Sequence, residues 1–294
     1  MSILLFGKNG QLGSEFQKIL PKLGKTTFLD YEDLDLCDLH ALEQVMNDLK
    51  PNLIINASAY TAVDRAETEQ DTAMRVNALA PGVMADWARR SHAVLIHYST
   101  DYVFDGRKGI PYTENDPANP LNVYGRSKQA GEENIRQAGG AYLILRTSWV
   151  YSAWGAGFVS KVLEWARNNQ TLKIVSDQIS NPTWARDLAE GTFSVVSAHR
   201  DHLQDVIQER RGIYHLAGGG YASRYEWARQ ILANDPKRTE QLVQNLEPAS
   251  TEEFPLPAAR PLFSALDCSK FRETFGFSLP DWADSLRTAM TEER

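Results

Sequence analysis

The sequence predicts an α/β fold: a doubly wound parallel sheet followed by a smaller, irregular α/β C-terminal domain. Three observations carry this. Short apolar strands alternate with amphipathic helical stretches through residue 148. Those strands are apolar nearly end to end, as strands covered on both faces are. A glycine-rich turn, "GKNGQLG" (7–13), joins the first strand to the first helix, the arrangement of a Rossmann-type sheet that binds a dinucleotide.

The elements follow in order. "SILLF" (2–6) is a strand, and "QLGSEFQKIL" (11–20) is helical. "KTTFLD" (25–30) is a second strand ending in an acid. "LHALEQVMNDLK" (39–50) has helical spacing and stops before Pro51, which cannot continue a helix. "NLIINAS" (52–58) is a third strand, and residues 67–91 read as one long helix. "AVLIHYST" (93–100) is a fourth strand, residues 123–138 a helix and "AYLILRTS" (141–148) a fifth strand. Beyond it, "SAWGAGF", "SDQISNPTW" and "PLPAARP" are loop-like and rich in Trp, Pro and Arg. "GIYHLAG" (212–218) returns to strand character. The expected organisation is a dinucleotide-binding domain over 1–150, re-entered near 183–217. A substrate-binding domain would take 151–182 and 218–294.

Composition removes several function classes. The net charge is −7 with a pI near 5.5, whereas a nucleic-acid binder needs a basic surface. No apolar run approaches a membrane span, and the N-terminus has no signal-peptide pattern. Cys37 and Cys268 form no metal spacing or disulfide framework, so a cytoplasmic location is expected.

The chemistry sits in two places. Gly7, Gly10 and Gly13 permit a tight turn and close backbone approach to a pyrophosphate at a helix N-terminus. Asp30 follows about 20 residues later, where an acid accepts from a ribose hydroxyl; this favours NADH, with NADPH held by groups such as Lys8 as the alternative. "ASAYT" (57–61) and "CDL" (37–39) are further cofactor-side candidates. The second place is "NVYGRSK" (122–128), with Tyr124 and Lys128 one turn apart on one helix face, and Thr100 in "STDYVFDG" (99–106). Reducing a ketone requires hydride at carbon and a proton at oxygen. An ammonium lowers a neighbouring phenol's pKa, so Lys128 would make Tyr124 a workable general acid. Thr100 would polarise the carbonyl. Arg260 in "AARP" is a candidate for a phosphate group, Trp149 for packing on a sugar or base, and Gln178 and Asn181 for shaping the pocket.

These residues carry a resemblance. "GKNGQLG", "NASAYTAVDRAE", "HYSTDYVFDG", "PLNVYGRSK", "LRTSWVY" and "PAARP" resemble the dTDP-4-dehydrorhamnose reductase family of the extended short-chain dehydrogenase/reductase superfamily, over nearly the whole chain. The resemblance implies Thr100, Tyr124 and Lys128 as the catalytic set. It puts Gly10, Gln11, Leu12, Asp30, Asp38, Leu39, Ala59, Tyr60 and Thr61 on the cofactor, and Thr100, Asp101 and Trp149 on the substrate. It implies NADH or NADPH as reductant and a dTDP-4-keto-6-deoxy-L-hexose as substrate. Some members hold magnesium at a glutamate cluster that joins a homodimer. Glu15 suits that cluster, but Arg186 stands where another glutamate is expected. A dehydratase of the superfamily carries an Asp-Glu pair after the threonine, whereas Asp101 is followed by Tyr102. A 4-epimerase and a non-catalytic dinucleotide-binding regulatory subunit are the remaining alternatives.

Overall fold

The computed structural model describes residues 1–152, 155 and 157–292; Ala153, Trp154 and Ala156 of "SAWGAGF" lie outside them. Six strands form one parallel sheet: β1 (Ser2–Phe6), β2 (Lys25–Leu29), β3 (Leu53–Asn56), β4 (Val94–Thr100), β5 (Ala141–Thr147) and β6 (Gly212–His215). Their order is β6-β5-β4-β3-β1-β2. The chain thus runs outward to β2, returns across β1 and builds the other way from β3. This reversal opens a crevice beyond the carboxyl ends of β1 and β3, where ligands of such sheets bind.

Strand alternation supplies two cores. Ile3, Leu5, Ile55, Ile96 and Leu145 face one layer, with Phe16 of α1 (Gln11–Ile19) and Leu188 of the helix Ala185–Ala198. Leu4, Phe6, Ile54, Leu95 and Ile144 face the other. That layer holds Met46 of α2 (Leu39–Leu49), Met84 and Trp87 of α3 (Ala80–Arg90) and Ile135 of α4 (Val123–Ala138). Residues 185–207 therefore cover the sheet before the chain adds β6. A third core lies apart, around Tyr151, Val159, Leu163, Ile174, Trp227, Ile231, Leu286 and Met290. Among the described residues, no helix is long and apolar enough to cross a membrane.

The helix expected over 67–91 is present but begins later: after a separate turn at Val63–Ala66, the chain is helical without a break from 70 to 90, as Gln70–Met74, a wider π-type segment at Arg75–Leu79, and α3. The wide turn has a visible use. The Asn77 side chain accepts from Tyr60 N (2.8 Å) and donates to Tyr60 O (3.1 Å) and Ser127 Oγ (3.0 Å). It so joins the loop after β3 to α4. A π-turn of this kind is often found at functional sites.

Candidate active site

The glycine loop is shaped by backbone contact. Gly7 has φ +89°, and a Cβ there would stand 2.8 Å from Ser58 N. A Cβ on Gly13 would stand 1.8 Å from Gly7 O, so Gly13 lies behind the loop as packing. α1 starts at Gly10 with no side-chain cap and no acid in its first turn. Its first N–H groups and the positive dipole end are thus left for an anion. Gln11 closes this end onto the chain after β5: its Oε1 accepts from Ser152 N (2.6 Å) and its Nε2 donates to Val150 O (3.3 Å).

One cleft of about 700 Å³ runs from this loop across the ends of β3 and β4, a size suited to a cofactor with a substrate. Its walls include Gly7, Gly10, Gln11, Leu12, Asp30, Ala59, Thr61, Thr100, Asp101, Tyr124, Lys128 and Trp149. A second cleft of about 530 Å³ shares Gly7, Asp30 and Ala59 and adds Tyr31, Cys37, Tyr60 and Arg65. Asp30 thus stands where the two meet, accepting from Asn9 N (2.7 Å) and Tyr31 N (2.8 Å). Lys8 is tied to Asp33 (2.5 Å), and Asn9 Nδ2 to Glu32 (3.0 Å).

Two expected cofactor residues are elsewhere. Asp38 caps α2 by accepting from Ala41 N (3.0 Å). Leu39 begins that helix and lines neither cleft. Cys37, one residue earlier, reaches the wall instead.

α4 presents Tyr124 and Lys128 together because its start is fixed on both sides. Asn122 Oδ1 accepts from Gly125 N (2.8 Å) and Asn122 Nδ2 donates to Ala259 O (2.8 Å). Gly125 and Gly131 let the helix approach closely: a Cβ would stand 2.2 Å from Tyr102 O and 2.1 Å from Asn77 O, respectively. Ser127 Oγ donates to Tyr124 O (2.8 Å).

The expected influence of Lys128 on Tyr124 is corrected. Burial pushes the Tyr124 phenol upward, opposed by Thr100, and the Lys128 amine is engaged elsewhere. The reason is where the amine points: Lys128 Nζ donates to Tyr98 O (2.6 Å) and meets His97 Nε2 at 3.1 Å. Burial lowers Lys128 to about 7. Thr100 Oγ1 donates to Asp101 Oδ1 (3.1 Å) and accepts from Tyr102 N (3.1 Å). Asp101 is buried and also accepts from Ser180 Oγ (3.1 Å) and Ser264 Oγ (2.5 Å). Burial raises it to about 6. Its carboxylate, expected on the substrate, is thereby engaged with three hydroxyls and holds Thr100 in place.

Trp149 reaches the main cleft from a left-handed backbone position, φ 41°. Its ring stacks on Trp227 (5.5 Å, 14°), and the Arg224 guanidinium lies over the Trp149 ring, 3.7 Å from its centroid. Arg260 is not at the main cleft. It pairs with Asp64 through Nη1 and Nη2 (2.6 Å each) and lines a smaller cavity of about 210 Å³ with Phe158, Lys173, Gln178, Arg224, Thr251 and Phe254. Gln178 lies there too, donating to Thr251 Oγ1 (3.1 Å). Asn181 is a clamp instead: Nδ2 donates to Gly220 O (2.8 Å) and Oδ1 accepts from Leu266 N (2.8 Å).

Sequence reading missed His97, Asn56 and Arg224. Arg224 had a local signal, the capping box Ser223–Glu226 that starts its helix. His97 had none, because its partners are remote in sequence.

The residues do not fit magnesium at Glu15. Its Oε1 pairs with Lys18 (2.7 Å) and its Oε2 faces Arg186 Nε (3.5 Å). The Arg186 guanidinium also lies 4.5 Å from the Trp184 ring centroid. Two cations already neutralise the one carboxylate, and a hard cation needs oxygen ligands. Among the described residues no group of three His, Cys, Asp or Glu side chains could hold a metal ion. Millimolar magnesium chloride or EDTA should therefore move the melting temperature by less than about 1 °C, since stabilisation requires preferential binding to the folded chain. A larger rise with magnesium in differential scanning fluorimetry would show that a site exists.

Comparison with known proteins bears on this geometry. All 294 residues match the family described as the RmlD substrate binding domain. The dTDP-4-dehydrorhamnose reductase of Burkholderia thailandensis is 40% identical over 286 residues, covering 96% of this chain and 95% of the relative. The crystal structure of a dTDP-4-dehydrorhamnose reductase from Clostridium acetobutylicum superposes with a TM-score of 0.88 at 36% identity, covering 99% of this chain and 98% of that one. A dTDP-4-dehydrorhamnose reductase from Bacillus anthracis, solved in complex with NADP, gives 0.87 at 33% identity, with 99% of each chain covered.

Proposed function

The chain belongs to the RmlD substrate binding domain family, and from that membership and the site geometry we propose that it reduces the C4 ketone of dTDP-4-dehydro-β-L-rhamnose with NAD(P)H. The product is dTDP-L-rhamnose, in the last step of its biosynthesis. The observation that carries this is convergence: the glycine loop, Asp30, Thr100, Tyr124 and Lys128 all line one cleft at the sheet's switch point.

A reduced nicotinamide supplies hydride when bound. The chain's own groups do the rest. The α1 N-terminus would hold the pyrophosphate, Asp30 would accept from the adenosine ribose, and Lys128 would donate to the nicotinamide ribose. Thr100, held by Asp101, orients the ketone oxygen. Tyr124, protonated throughout the neutral range by burial, delivers its proton to the forming alkoxide. Arg224 and Arg260 flank the smaller cavity and suit the diphosphate, because guanidinium groups match phosphate oxygens in pairs. Trp149 bridges the two regions. We divide the chain accordingly into a dinucleotide domain, 1–150 with 183–217, and a substrate domain from the remainder. The third hydrophobic core, around Trp227, supports that division. Unpaired Cys37 and Cys268 suit a reducing cytoplasm.

NADH should be the better reductant. Asp30, Glu32 and Asp33 gather at the loop, and its nearby donors Lys8 and Asn9 are already held by Asp33 and Glu32. A 2′-phosphate would meet negative charge there. We expect kcat/KM to favour NADH by about tenfold, equivalent to about 1.4 kcal/mol. The test mixes the protein with the dTDP-4-keto-L-sugar, follows NADH and NADPH loss separately and identifies the sugar product by NMR. No consumption of either reductant would overturn the proposed activity. Equal efficiencies would overturn the preference alone.

A further inference from the structure

Beside the cleft, His97 is fully buried and none of the steps above uses it. Its protons can be placed by elimination. The backbone N–H of Ser58 can only donate, and it lies 3.1 Å from Asn56 Oδ1, which also accepts from Ser58 Oγ (2.7 Å). The Asn56 amide is thereby oriented, and its Nδ2 is the donor facing His97 Nδ1 at 3.0 Å. His97 Nδ1 must then be an acceptor. A neutral imidazole with an acceptor at Nδ1 carries its proton on Nε2. That Nε2–H points at Lys128 Nζ, 3.1 Å away.

An ammonium has three donors and no acceptor, so a charged Lys128 would set N–H against N–H. A neutral amine has a lone pair to receive the Nε2–H and still donates to Tyr98 O (2.6 Å). The opposite tautomer moves the same conflict to Asn56 Nδ2. Only the neutral amine satisfies every buried polar atom in the row, and unsatisfied buried groups are costly. Burial of Lys128, which lowers it to about 7, acts in the same direction.

We propose that His97 is a positioning residue for Lys128: its Nε2–H holds the amine in the neutral form, and protonation breaks this contact and turns the ammonium toward the cleft. Lys128 already lines the cleft, so the movement required is a side-chain rotation. A ribose hydroxyl accepting from the ammonium favours the turned form, so dinucleotide binding takes up a proton. This second half rests on the function proposed above. The groups on the elements packed around Nζ are His97 and Tyr98 on β4, Asp101 just beyond it, Tyr124 and Glu132 on α4, and Arg146 on β5. Glu132 favours the charged amine, but Arg146 and Ser99 hold its carboxylate (2.6 Å each at the shortest contacts). Asp101 is engaged with hydroxyls, and Tyr124 stays neutral.

Two measurements on the full-length protein test this separately. Long-range 1H–15N NMR of the imidazole, without dinucleotide, should show His97 protonated at Nε2. The Lys128 side-chain signal should titrate with a midpoint near 7. A proton on Nδ1, or a Lys128 midpoint above about 9, nearer the free amine's value, would overturn the proposal. Calorimetry of NADH binding at pH 8, in buffers of different ionisation enthalpy, should show nearly one proton taken up. His97→Gln, whose amide can present oxygen to an ammonium, should raise the Lys128 midpoint and reduce that uptake by at least half. His97→Asn serves if the first variant misfolds. NADH binding with no proton uptake by the wild type would overturn the coupling. Failure to bind NADH or NADPH at all would overturn the proposed function instead, and the NMR result would still decide whether His97 holds a neutral amine.

Discussion

Tyr124→Phe should lower turnover at saturating substrate by at least ~100-fold and leave the NADH dissociation constant within about twofold, the loss typical of removing a positioned general acid. The substitution deletes one oxygen and keeps the ring. That ring packs edge-on to Tyr102, with centroids 5.8 Å apart, and beside Val123 and Ala66. None of these contacts needs the hydroxyl. The glycine loop and Lys128 are untouched, so the dinucleotide site should persist. The substitution therefore removes the acid and leaves the bonds of Thr100 to Asp101 and Tyr102 in place. Thr100→Val is a poorer probe, because Thr100 also accepts from Tyr102 N (3.1 Å) and Asp101 depends on it. The measurement is steady-state kinetics with intrinsic fluorescence quenching for NADH binding. Turnover within tenfold of wild type would remove Tyr124 from the acid's role. If turnover and NADH affinity fall together, the variant has damaged the site, and Tyr124 has not been isolated as the acid.

The legible parts of this molecule are those whose causes are local. Apolar runs with intervening helical periods gave the first five strands of the main sheet within about two residues at each end, the usual scatter of element boundaries; the sixth, read as 212–218, ends at His215. Glycine spacing marked a loop whose backbone contacts tolerate no side chain at Gly7 or Gly13. The i,i+4 relation of Tyr124 and Lys128 placed both on one face of α4, and both line the cleft. What could not be read depends on distance. The tautomer of His97 is set by Asn56, 41 residues earlier, and Gln11 is held by a backbone 141 residues later. Spacing shows no partner for Arg260. In the fold Asp64, 196 residues away, pairs with it and fixes it at the smaller cavity. The direction of the Tyr124 shift was missed for a related reason. Proximity of an ammonium along the helix was visible in the sequence. The burial of both groups, and the two partners on β4, Tyr98 O and His97 Nε2, that draw the amine aside, were not. The unbroken polar-apolar pattern over 67–91 likewise concealed a π-turn, because one extra residue per turn hardly disturbs helical periodicity.

Glu132→Ala should destabilise the protein by about 3–5 kcal/mol, the range for removing one partner of a buried ion pair. Glu132 and Arg146 are both nearly inaccessible, and the pair is bidentate: Nε to Oε1 at 2.8 Å and Nη2 to Oε2 at 2.6 Å. Ser99 Oγ adds a third bond to Oε1 (2.6 Å). The guanidinium lies 5.0 Å from the centroid of the Phe104 ring, which stabilises the cation but accepts no hydrogen bond in the plane. Among the described residues Arg146 Nη1 has no hydrogen-bond partner, so they offer no spare acceptor to relieve a lost carboxylate. Arginine cannot escape by deprotonating. The cost therefore falls on a charge left buried. For a chain of this length it should lower the melting temperature by roughly 5–10 °C. Urea unfolding should show a reduced midpoint with an unchanged slope, the mark of a pure stability change. Glu132→Met combined with Arg146→Met separates the pair from its parts. If the penalty is the orphaned charge, the double variant should be more stable than Glu132→Ala, because no unpaired ion remains. If both lose the same stability, the loss comes from packing at the β4–β5–α4 junction. The same substitution also removes the carboxylate that favours charge on Lys128, so in the folded variant the Lys128 midpoint should fall below that of the wild type. A fall in stability with no movement of that midpoint would separate the two effects and confine Glu132 to holding Arg146.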